Sequence, residues 1–353
     1  MNARADSATA STRVGRATPT SAQRDIVWDA RWRGRHGIGR HADEISRRLP
    51  MNVEQLAGKG NPASPLDPLR LSTTLARSRP GVFVSPGYNT ALWATCPQLI
   101  TIHDLIHLHD ATESSRLKRA YYQTLVGPAI RRTGMVLTVS HRTAGVISEW
   151  AQVPLDRVKI VGNGTSIGQA SDADFAAADR HRSLVGRYLL YVGNDKSHKN
   201  LALLYNALGY IDPSIRLVLV GPSPRAWGDL GTSAIPTDRV VFRPSVTDTE
   251  LRDLYLKASC LVLPSTDEGF GLPALEAMAV GVRTVYCCDA VQEVVGDLGF
   301  RTPADDPRSF AAAVGQCLDA DLSDRGDLVA RSLLFGWDEV ADRVLQAISE
   351  LPV

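Results

Sequence analysis

The sequence predicts an α/β protein built from two doubly wound parallel sheets that face each other across a cleft. Three observations lead to this fold class. Short apolar strands rich in Val, Ile and Leu alternate with amphipathic helices along nearly the whole chain. The length of 353 residues suits two domains better than one core. The polar stretch 169–186 has no strand pattern, and the alternation restarts after it.

The strands are short, continuous apolar runs, which is the pattern of parallel strands covered on both faces. In the first half they are Asp25–Trp28, Val82–Val84, Gln98–Ile102, Met135–Val139 and Val158–Val161. In the second half they are Tyr188–Val192, Arg216–Val220, Arg239–Phe242, Cys260–Leu263 and Arg283–Tyr286. Helices are predicted between them, and such repeated βα units form doubly wound sheets.

These units give two Rossmann-like domains. We predict a disordered tail over 1–24, a first domain over 25–168, a linker over 169–186, a second domain over 187–335 and a final helix over 336–353 that returns toward the first domain. The tail is rich in Ser, Ala, Thr and Arg, so its composition also resembles an organellar transit peptide. We favour the disordered tail.

Composition narrows the function. The net charge of +1 argues against a nucleic-acid partner. The five cysteines are odd in number and form no C-x-x-C, which predicts no disulfide framework or zinc site and favours a reducing cytoplasm.

The segment 116–132 is basic at both ends and carries apolar side chains, so it could rest on an anionic membrane or be a core helix with charged ends.

Two carboxylates, Glu268 and Glu276, stand eight positions apart after the strand Cys260–Leu263. Between them lie a Gly-Phe-Gly loop and Pro273, which can open a helix. Such a strand, loop and helix start can hold a phosphate on backbone N–H groups and bind hydroxyls with carboxylates. The alternative is an ordinary βα turn with two solvated acids.

A basic turn follows the strand Tyr188–Val192. Lys196, His198 and Lys199 collect there just before a predicted helix, whose dipole favours anions. The pattern suits two phosphates of a nucleotide, and the alternative is a solvated turn.

The first half offers two further candidates at strand ends. Asp29-Ala-Arg31 is followed by Gly37-Ile-Gly39-Arg40, and the density of arginines here favours a phosphate-rich or acidic neighbour. His103 ends another strand, where an imidazole can exchange a proton or hydrogen bond with a substrate hydroxyl. The alternatives are an ordinary βα turn and a structural histidine.

Several other sites are excluded or disfavoured. The chain has no G-x-x-x-x-G-K-[ST], G-x-G-x-x-G, H-E-x-x-H or G-x-S-x-G sequence. Asp172-Ala-Asp174 and Asp319-Ala-Asp321 resemble a metal-binding D-x-D, but one lies in the predicted linker and the other at a helix end. We predict no metal site.

Together these motifs resemble the retaining glycosyltransferases of GT-B fold grouped as glycosyltransferase family 4, from about Ile26 to Ala347. Glu268 through Glu276 is similar to the family's E-x7-E motif. Other motifs follow in the family's order: Asp29-Ala-Arg31, Gly37-Ile-Gly39-Arg40, Thr101-Ile-His103-Asp104-Leu105, Val139-Ser140, Asn163-Gly164, Tyr191-Val-Gly193 with Lys199-Asn200-Leu201, Leu251 through Ala258, and Trp337. The chain departs from the family at Arg283, where proline is common, and at His198, where arginine is common.

The resemblance implies a role for each matching residue. Glu268, Lys199 and His103 would be catalytic: Glu268 would stabilise the oxocarbenium-like transition state, Lys199 would neutralise the departing diphosphate, and His103 would lie beside the transferred sugar. Glu276 would bind the ribose hydroxyls. The remaining donor-binding residues would be Gly39, Arg40, Gly193, Lys196, His198, Asn200, Gly269, Phe270, Gly271 and Leu272.

The implied function is transfer of a hexose, first of all mannose from GDP-mannose, to a glycan or lipid-linked acceptor, with no cofactor or metal. The first domain would bind the acceptor and the second the nucleotide-sugar. Donors such as UDP-glucose, dTDP-rhamnose or GDP-fucose remain open, as does a glycogen- or sucrose-type role. A non-catalytic GT-B partner subunit and a dehydrogenase-like nucleotide-binding module are the alternatives from other classes.

Overall fold

The protein is described here from a computed structural model that covers residues 25–34, 37–56, 60–110, 115–230 and 239–351; the predicted tail over 1–24 lies outside these ranges. The described residues form two parallel six-stranded sheets, which confirms the predicted α/β class. The strands are β1 (Ile26–Asp29), β2 (Glu54–Leu56), β3 (Val82–Ser85), β4 (Gln98–Ile102), β5 (Val136–Thr138), β6 (Val158–Ile160), β7 (Tyr188–Val192), β8 (Arg216–Val220), β9 (Val240–Arg243), β10 (Cys260–Leu263), β11 (Thr284–Tyr286) and β12 (Phe300–Arg301).

Helices cover both faces of the sheets. They are α1 (Gly37–Ser46), α2 (Asp67–Ser78), α3 (Ile106–His109), α4 (Arg116–Tyr121), α5 (Gly127–Thr133), α6 (His141–Ala151), α7 (Asp172–Val185), α8 (Leu201–Ala207), α9 (Pro224–Gly228), α10 (Asp248–Lys257), α11 (Leu272–Ala279), α12 (Asp289–Val295), α13 (Pro307–Asp319), α14 (Arg325–Ser332) and α15 (Trp337–Ser349). No helix of the described residues is long and apolar enough to cross a membrane.

The strand order places the candidate site. The first sheet runs β2-β1-β3-β4-β5-β6 and the second β9-β8-β7-β10-β11-β12, so the order reverses between β1 and β3 and between β7 and β10. Ligands of open α/β sheets bind beyond the carboxyl ends of the strands at such a reversal. The basic turn follows β7 and the Glu268 loop follows β10, so both lie at the reversal of the second sheet.

Two strands, β2 and β12, were missing from the sequence prediction. Both are sheet edges of three residues or fewer, and their side chains are exposed or half-buried. An edge strand needs no continuous apolar run because one side faces solvent. The apolar criterion therefore could not find them.

The segment 169–186, predicted as a linker, contains helix α7. Ser171 and Asp174 form a capping box at its start, and Ala178 is buried in the core of the second domain. Small residues and acids hide this helix from an apolar-periodicity search. The Asp172-Ala-Asp174 sequence therefore serves helix capping, and Asp174 also pairs with Arg252.

Helix α15 packs on the first sheet. Its side chains Trp337, Val340 and Val344 are buried among Trp28, Val82 and other strand residues of that sheet. The last helix of the chain therefore completes the core of the first domain.

Residues 116–133 form one interrupted helix. A π-helical turn over Tyr122–Val126 joins α4 to α5, so the helix continues past Pro128. Pro128 stands in the first turn of α5, where a missing N–H costs little. Tyr122, Val126 and Ile130 are buried, which fits the core-helix alternative for this segment.

Candidate active site

A cavity of ≈ 430 Å³ is lined by residues of both domains. The predicted site residues on its wall are His103, Lys196, His198, Lys199, Glu268, Gly269, Phe270, Gly271 and Leu272. Gly39, Arg40, Gly193, Asn200 and Glu276 do not line it. The two halves of the chain therefore bring most of the predicted residues to one place.

The loop over 268–271, which we call the motif loop, depends on a glycine with positive φ. Gly271 has φ of 103° and precedes α11, a conformation that residues with a Cβ rarely adopt. Pro273 follows in the first turn, where its fixed φ suits a helix. The chain therefore turns sharply from Glu268 into α11 and lines the cavity with backbone.

Lys199 and Glu268 form a close ion pair. Lys199 Nζ lies 2.6 Å from Glu268 Oε1 and 2.8 Å from Oε2, and Ser265 donates a hydrogen bond of 2.7 Å to Oε1. Both side chains are mostly buried. A ligand phosphate would have to compete with Glu268 for Lys199, and the released carboxylate could then accept hydrogen bonds from sugar hydroxyls.

Hydrogen bonds from the side chains of Tyr191 and Asn200 hold the basic turn in place. The buried Tyr191 hydroxyl donates to the Asn194 carbonyl over 2.7 Å. Asn200, in the left-handed region with φ of 51°, donates to the carbonyls of Pro264 and Ala304 over 3.2 and 2.8 Å. Asn200 thus connects the loops after β7, β10 and β12, and in this structure it holds the turn without facing the cavity.

Glu276 is a buried residue of α11 with partners on both oxygens. Tyr255 donates to Oε2 and Arg40 to Oε1, each over 2.7 Å. Burial raises the pKa of Glu276, although the charge of Arg40 opposes the rise. Arg40 comes from the first domain and also contacts Asp248, so it bridges the two domains.

The arginines after β1 have different partners from those predicted. Arg31 forms ion pairs with Asp29 and Asp67 over 2.7 and 2.6 Å, in a nearly buried position. Burial would lower the pKa of Arg31, but the two carboxylates outweigh it and raise the pKa. Arg31 is therefore committed to the first domain, and Arg35 lies outside the described residues.

The glycines of α1 divide between two roles. Gly37 and Ile38 line the cavity. Gly39 packs against the backbone of Gly34, where an added Cβ would lie 2.4 Å from the Gly34 oxygen. Gly39, predicted to bind the donor, thus packs closely against its own chain, and Gly37 is the glycine on the cavity wall.

His103 lies at the end of β4 with its ring fixed. Its Nε2 is 2.8 Å from the Pro86 carbonyl, so this nitrogen carries the proton and donates. The ring of His41 packs edge-on against it at 4.8 Å between centroids. His41 Nδ1 in turn lies 2.7 Å from Asn163 Oδ1.

His41 was not singled out from the sequence. It is fully buried, and burial together with the nearby His103 lowers its pKa to about 3. Its position three residues after Ile38, on the apolar face of α1, is the signal that could have found it, because a polar residue on a buried face needs a partner.

The cavity combines cations with carboxylates. Lys118, Lys196 and Lys199 face Asp104 and Glu268 on its wall. Cations suit a diphosphate, and carboxylates suit sugar hydroxyls. In the described ranges no group of three or more His, Cys, Asp or Glu side chains could hold a metal ion; the expectation that no metal is needed stays a prediction.

Sequence models of two families match the chain. One, described as Glycosyltransferase Family 4, matches residues 35–169, and the other, described as Glycosyl transferases group 1, matches residues 186–320. The two matches fall on the two structural domains in chain order.

Two curated relatives agree with these matches. The O-antigen chain mannosyltransferase RfbU of Salmonella typhimurium is 28% identical over 221 residues, which are 62% of this chain and 60% of that protein. The D-inositol 3-phosphate glycosyltransferase of Thermobispora bispora is 30% identical over 258 residues, 63% of this chain and 59% of that protein. The chain thus spans about 60% of the length of these relatives.

Among solved structures, HepE of Anabaena, crystallised with UDP and glucose, has a similar fold. The TM-score is 0.71 at 17% identity, covering 93% of this chain and 100% of that one. With both domains matched in order on two doubly wound sheets, the chain belongs to the group 1, family 4 glycosyltransferases of GT-B fold.

Proposed function

We propose that the protein is a retaining glycosyltransferase that moves a hexose from a nucleotide-sugar to a glycan or lipid-linked saccharide in polysaccharide biosynthesis. The observation that carries the proposal is the cavity wall on which Lys196, His198 and Lys199 meet Glu268 and the Gly269–Leu272 backbone. The cations would bind a diphosphate while the carboxylate and the loop bind the sugar.

The proposed mechanism assigns one task to each group. The acceptor oxygen attacks the anomeric carbon as the bond to the diphosphate breaks, and the acceptor proton passes to the departing phosphate oxygen. Attack on the face that the diphosphate leaves retains the configuration. Lys199 and loop N–H groups stabilise the departing charge, and Glu268 stabilises the positive charge on the sugar. His103 would orient the sugar from the first domain.

Glu276 has a proposed role that requires a change of partner. To bind ribose hydroxyls it would exchange Arg40 or Tyr255 for the ligand. Arg40 would then be free to approach the nucleotide, in keeping with its predicted donor-binding role. No metal enters this mechanism, since cations of the chain and backbone N–H groups would stabilise the diphosphate.

GDP-mannose is the first proposed donor. Support comes from the name of the Salmonella relative, an O-antigen chain mannosyltransferase. UDP-glucose is the second candidate, because the HepE structure was solved with UDP and glucose. dTDP-rhamnose and GDP-fucose remain alternatives, and a non-catalytic GT-B partner subunit is the alternative from another class.

Turnover of a donor panel tests the proposal. Purified protein is incubated with GDP-mannose, GDP-fucose, UDP-glucose and dTDP-rhamnose, and released nucleotide is measured; we expect slow hydrolysis of one donor even without acceptor. NMR of the anomeric proton in a transferred product tests retention. Absence of turnover with every donor and acceptor, together with no thermal stabilisation by GDP or UDP, would contradict the proposal and favour the non-catalytic alternative.

We further propose that the enzyme works in the cytoplasm and touches an anionic membrane through its first domain. The five cysteines are all free, as suits a reducing compartment. Leu66 and Leu69 of the α2 region and Leu92 and Trp93 of the loop after β3 are exposed. Leu92 N–H bonds to Pro68 O over 3.1 Å, so the two segments that carry these apolar side chains lie side by side.

Vesicle sedimentation tests the membrane contact. We expect binding to vesicles that contain phosphatidylglycerol and weaker binding after Trp93→Ser. Leu334→Ser, at an exposed position of the second domain, is the control. Equal binding of both variants would remove this surface from consideration.

A further inference from the structure

Helix α6 of the first domain begins against the motif loop of the second. Ser140 caps α6 by accepting a hydrogen bond from Thr143 N–H, and both residues are buried. The Ser140 hydroxyl donates to the Gly269 carbonyl over 2.7 Å, and the Thr143 hydroxyl donates to the same oxygen over 3.1 Å. One carbonyl of the motif loop is thus held by two hydroxyls from the opposite domain.

These contacts set the direction of a loop amide. Because a peptide bond is planar and trans, the Phe270 N–H points opposite to the Gly269 carbonyl. Gly269, Phe270 and Gly271 all line the cavity. Fixing the carbonyl on α6 therefore also fixes the direction of an N–H in a loop that lines the cavity.

Gly269 is the residue that permits this approach. A Cβ at this position would lie 2.2 Å from the His103 carbonyl oxygen, much closer than any real contact. The loop therefore reaches both α6 and the end of β4 only because it carries no side chain here.

The carboxylate of Glu293 binds the N-terminus of the same helix, α6. Glu293 of α12 accepts hydrogen bonds from His141 N–H and Arg142 N–H over 2.7 and 2.6 Å. An acid at a helix N-terminus is stabilised by the helix dipole, and charge-assisted bonds of this kind are short and strong. Arg331 donates to the carbonyls of Glu293 and Val294, which fixes the end of α12 that carries the carboxylate.

We propose that Ser140, Thr143 and Glu293 form an interdomain clamp that orients the motif loop for sugar transfer. They are positioning residues, and the inference rests on the proposed glycosyl transfer. The basic turn that would bind the diphosphate, with Lys196, His198 and Lys199, lies entirely in the second domain. The clamp therefore supports the chemical step more than the binding of the nucleotide.

Thr143→Val and Thr143→Ser form the matched test pair. Valine removes the hydroxyl while leaving the Ser140 cap in place, and serine keeps the hydroxyl. With the donor that turns over fastest in the panel above, Thr143→Val lowers kcat about 3- to 10-fold, the effect of one hydrogen bond. Thr143→Ser restores kcat, and the dissociation constant of the corresponding nucleoside diphosphate changes less than about twofold in both.

Glu293→Gln and Ser171→Ala complete the set. The first removes the charge from the clamp, and the second removes a helix cap of α7 that bonds to Asp174 and, among the described hydrogen bonds, not to the motif loop. Glu293→Gln is expected to lower kcat as Thr143→Val does, while Ser171→Ala leaves it unchanged. Equal kcat in wild type, Thr143→Val and Glu293→Gln would overturn the clamp.

Hydrogen exchange separates the clamp from the enzyme activity. In the protein without substrate, Glu293→Gln speeds amide exchange in peptides covering 139–146 and 265–275 relative to wild type. Unchanged exchange in both peptides would overturn the clamp even if transfer is normal. If no donor turns over, the proposed function fails and faster exchange still supports the clamp.

Discussion

Glu268 and Lys199 form an ion pair, so each side chain is held by the other and its availability to a ligand depends on its partner. Each holds the other through contacts of 2.6 and 2.8 Å, so removing one charge changes the partner as well as the removed group. Glu268→Gln is expected to lower kcat about 10²- to 10³-fold, because the proposed electrostatic partner of the transition state is lost. The same change releases Lys199, so affinity for the nucleoside diphosphate should hold or improve.

Steady-state kinetics and calorimetry with GDP and UDP measure the two effects. Lys199→Ala is the counterpart, and it should weaken nucleotide binding as well as turnover. If Glu268→Gln weakened nucleotide binding as much as Lys199→Ala does, the assignment of Glu268 to the sugar would be wrong.

His41 makes stability sensitive to acid. Its pKa is lowered to about 3 in the folded protein by burial and by His103, whereas histidine in an unfolded chain titrates near about 6.5. Between these values only the unfolded chain takes up the proton, so stability is lost as the pH falls. From pH 7 to pH 5 the loss is about 2 kcal/mol.

Urea denaturation at pH 7 and pH 5 checks this expectation. His41→Asn should show a smaller loss between the two pH values than wild type. His109→Asn, the same change at an exposed position, serves as the control. Identical losses in wild type and His41→Asn would contradict the prediction.

Among the elements, α15 carries the clearest energetic consequence. Trp337 is buried against Gly164 and the His41 ring, far along the chain from both. Trp337→Ala should lower the free energy of unfolding by about 3 to 5 kcal/mol, as expected for a large cavity in a core. Chemical denaturation followed by circular dichroism measures it, and the lost stability should belong to the first domain.

Leu334→Ala is the matched control for that change. Leu334 is 64% exposed and only three residues away, so its truncation should alter stability by less than about 0.5 kcal/mol. Similar losses in the two variants would mean that α15 is not part of the first core.

At this scale the sequence predicted buried elements well and exposed ones poorly. Four strands, among them Cys260–Leu263, have the predicted bounds, because a strand covered on both faces is a continuous apolar run. β2 and β12 lacked that signal. Helix α7 is missed as a helix because Ala178 is its one buried residue, so its sequence has no apolar periodicity.

For the whole molecule, Arg40 is a charge that spans the cleft between the two domains. It contacts Glu276, which is 6% exposed, and Asp248 of the second domain. Arg40→Ala leaves the Glu276 carboxylate without its cation, so stability should fall by about 3 kcal/mol. The radius of gyration should rise, because an interdomain contact is lost. Denaturation and small-angle scattering measure the two effects.

Two companion variants make that result specific. Arg47→Ala changes an exposed arginine just after the end of the same helix; it pairs only with Glu44 among the described contacts, and its loss should leave both measurements unchanged. Arg40→Ala combined with Glu276→Gln should recover part of the stability, since the unpaired charge is gone. If the double variant were no more stable than Arg40→Ala, the pair would not be the cause.

The site was predictable where its residues directly follow recognisable strands. The motif loop follows β10 and the basic turn follows β7. Both strands are recognisable in the sequence, so the meeting of the two segments at one cavity follows from sheet topology. The pairing of Arg40 with Glu276 and of Ser140 with Gly269 joins residues more than one hundred positions apart. No local pattern contains such a pair, because it depends on how the two domains face each other.

The Lys199–Glu268 pair also bears on how a turnover ends. In the proposed reaction, once the sugar has moved to the acceptor and the nucleoside diphosphate remains, Glu268 would have no sugar to contact. The carboxylate can then return to Lys199 across less than 3 Å and weaken its hold on the phosphate. The same two residues that would receive the donor would therefore help to expel the spent nucleotide, so that its departure is built into the site.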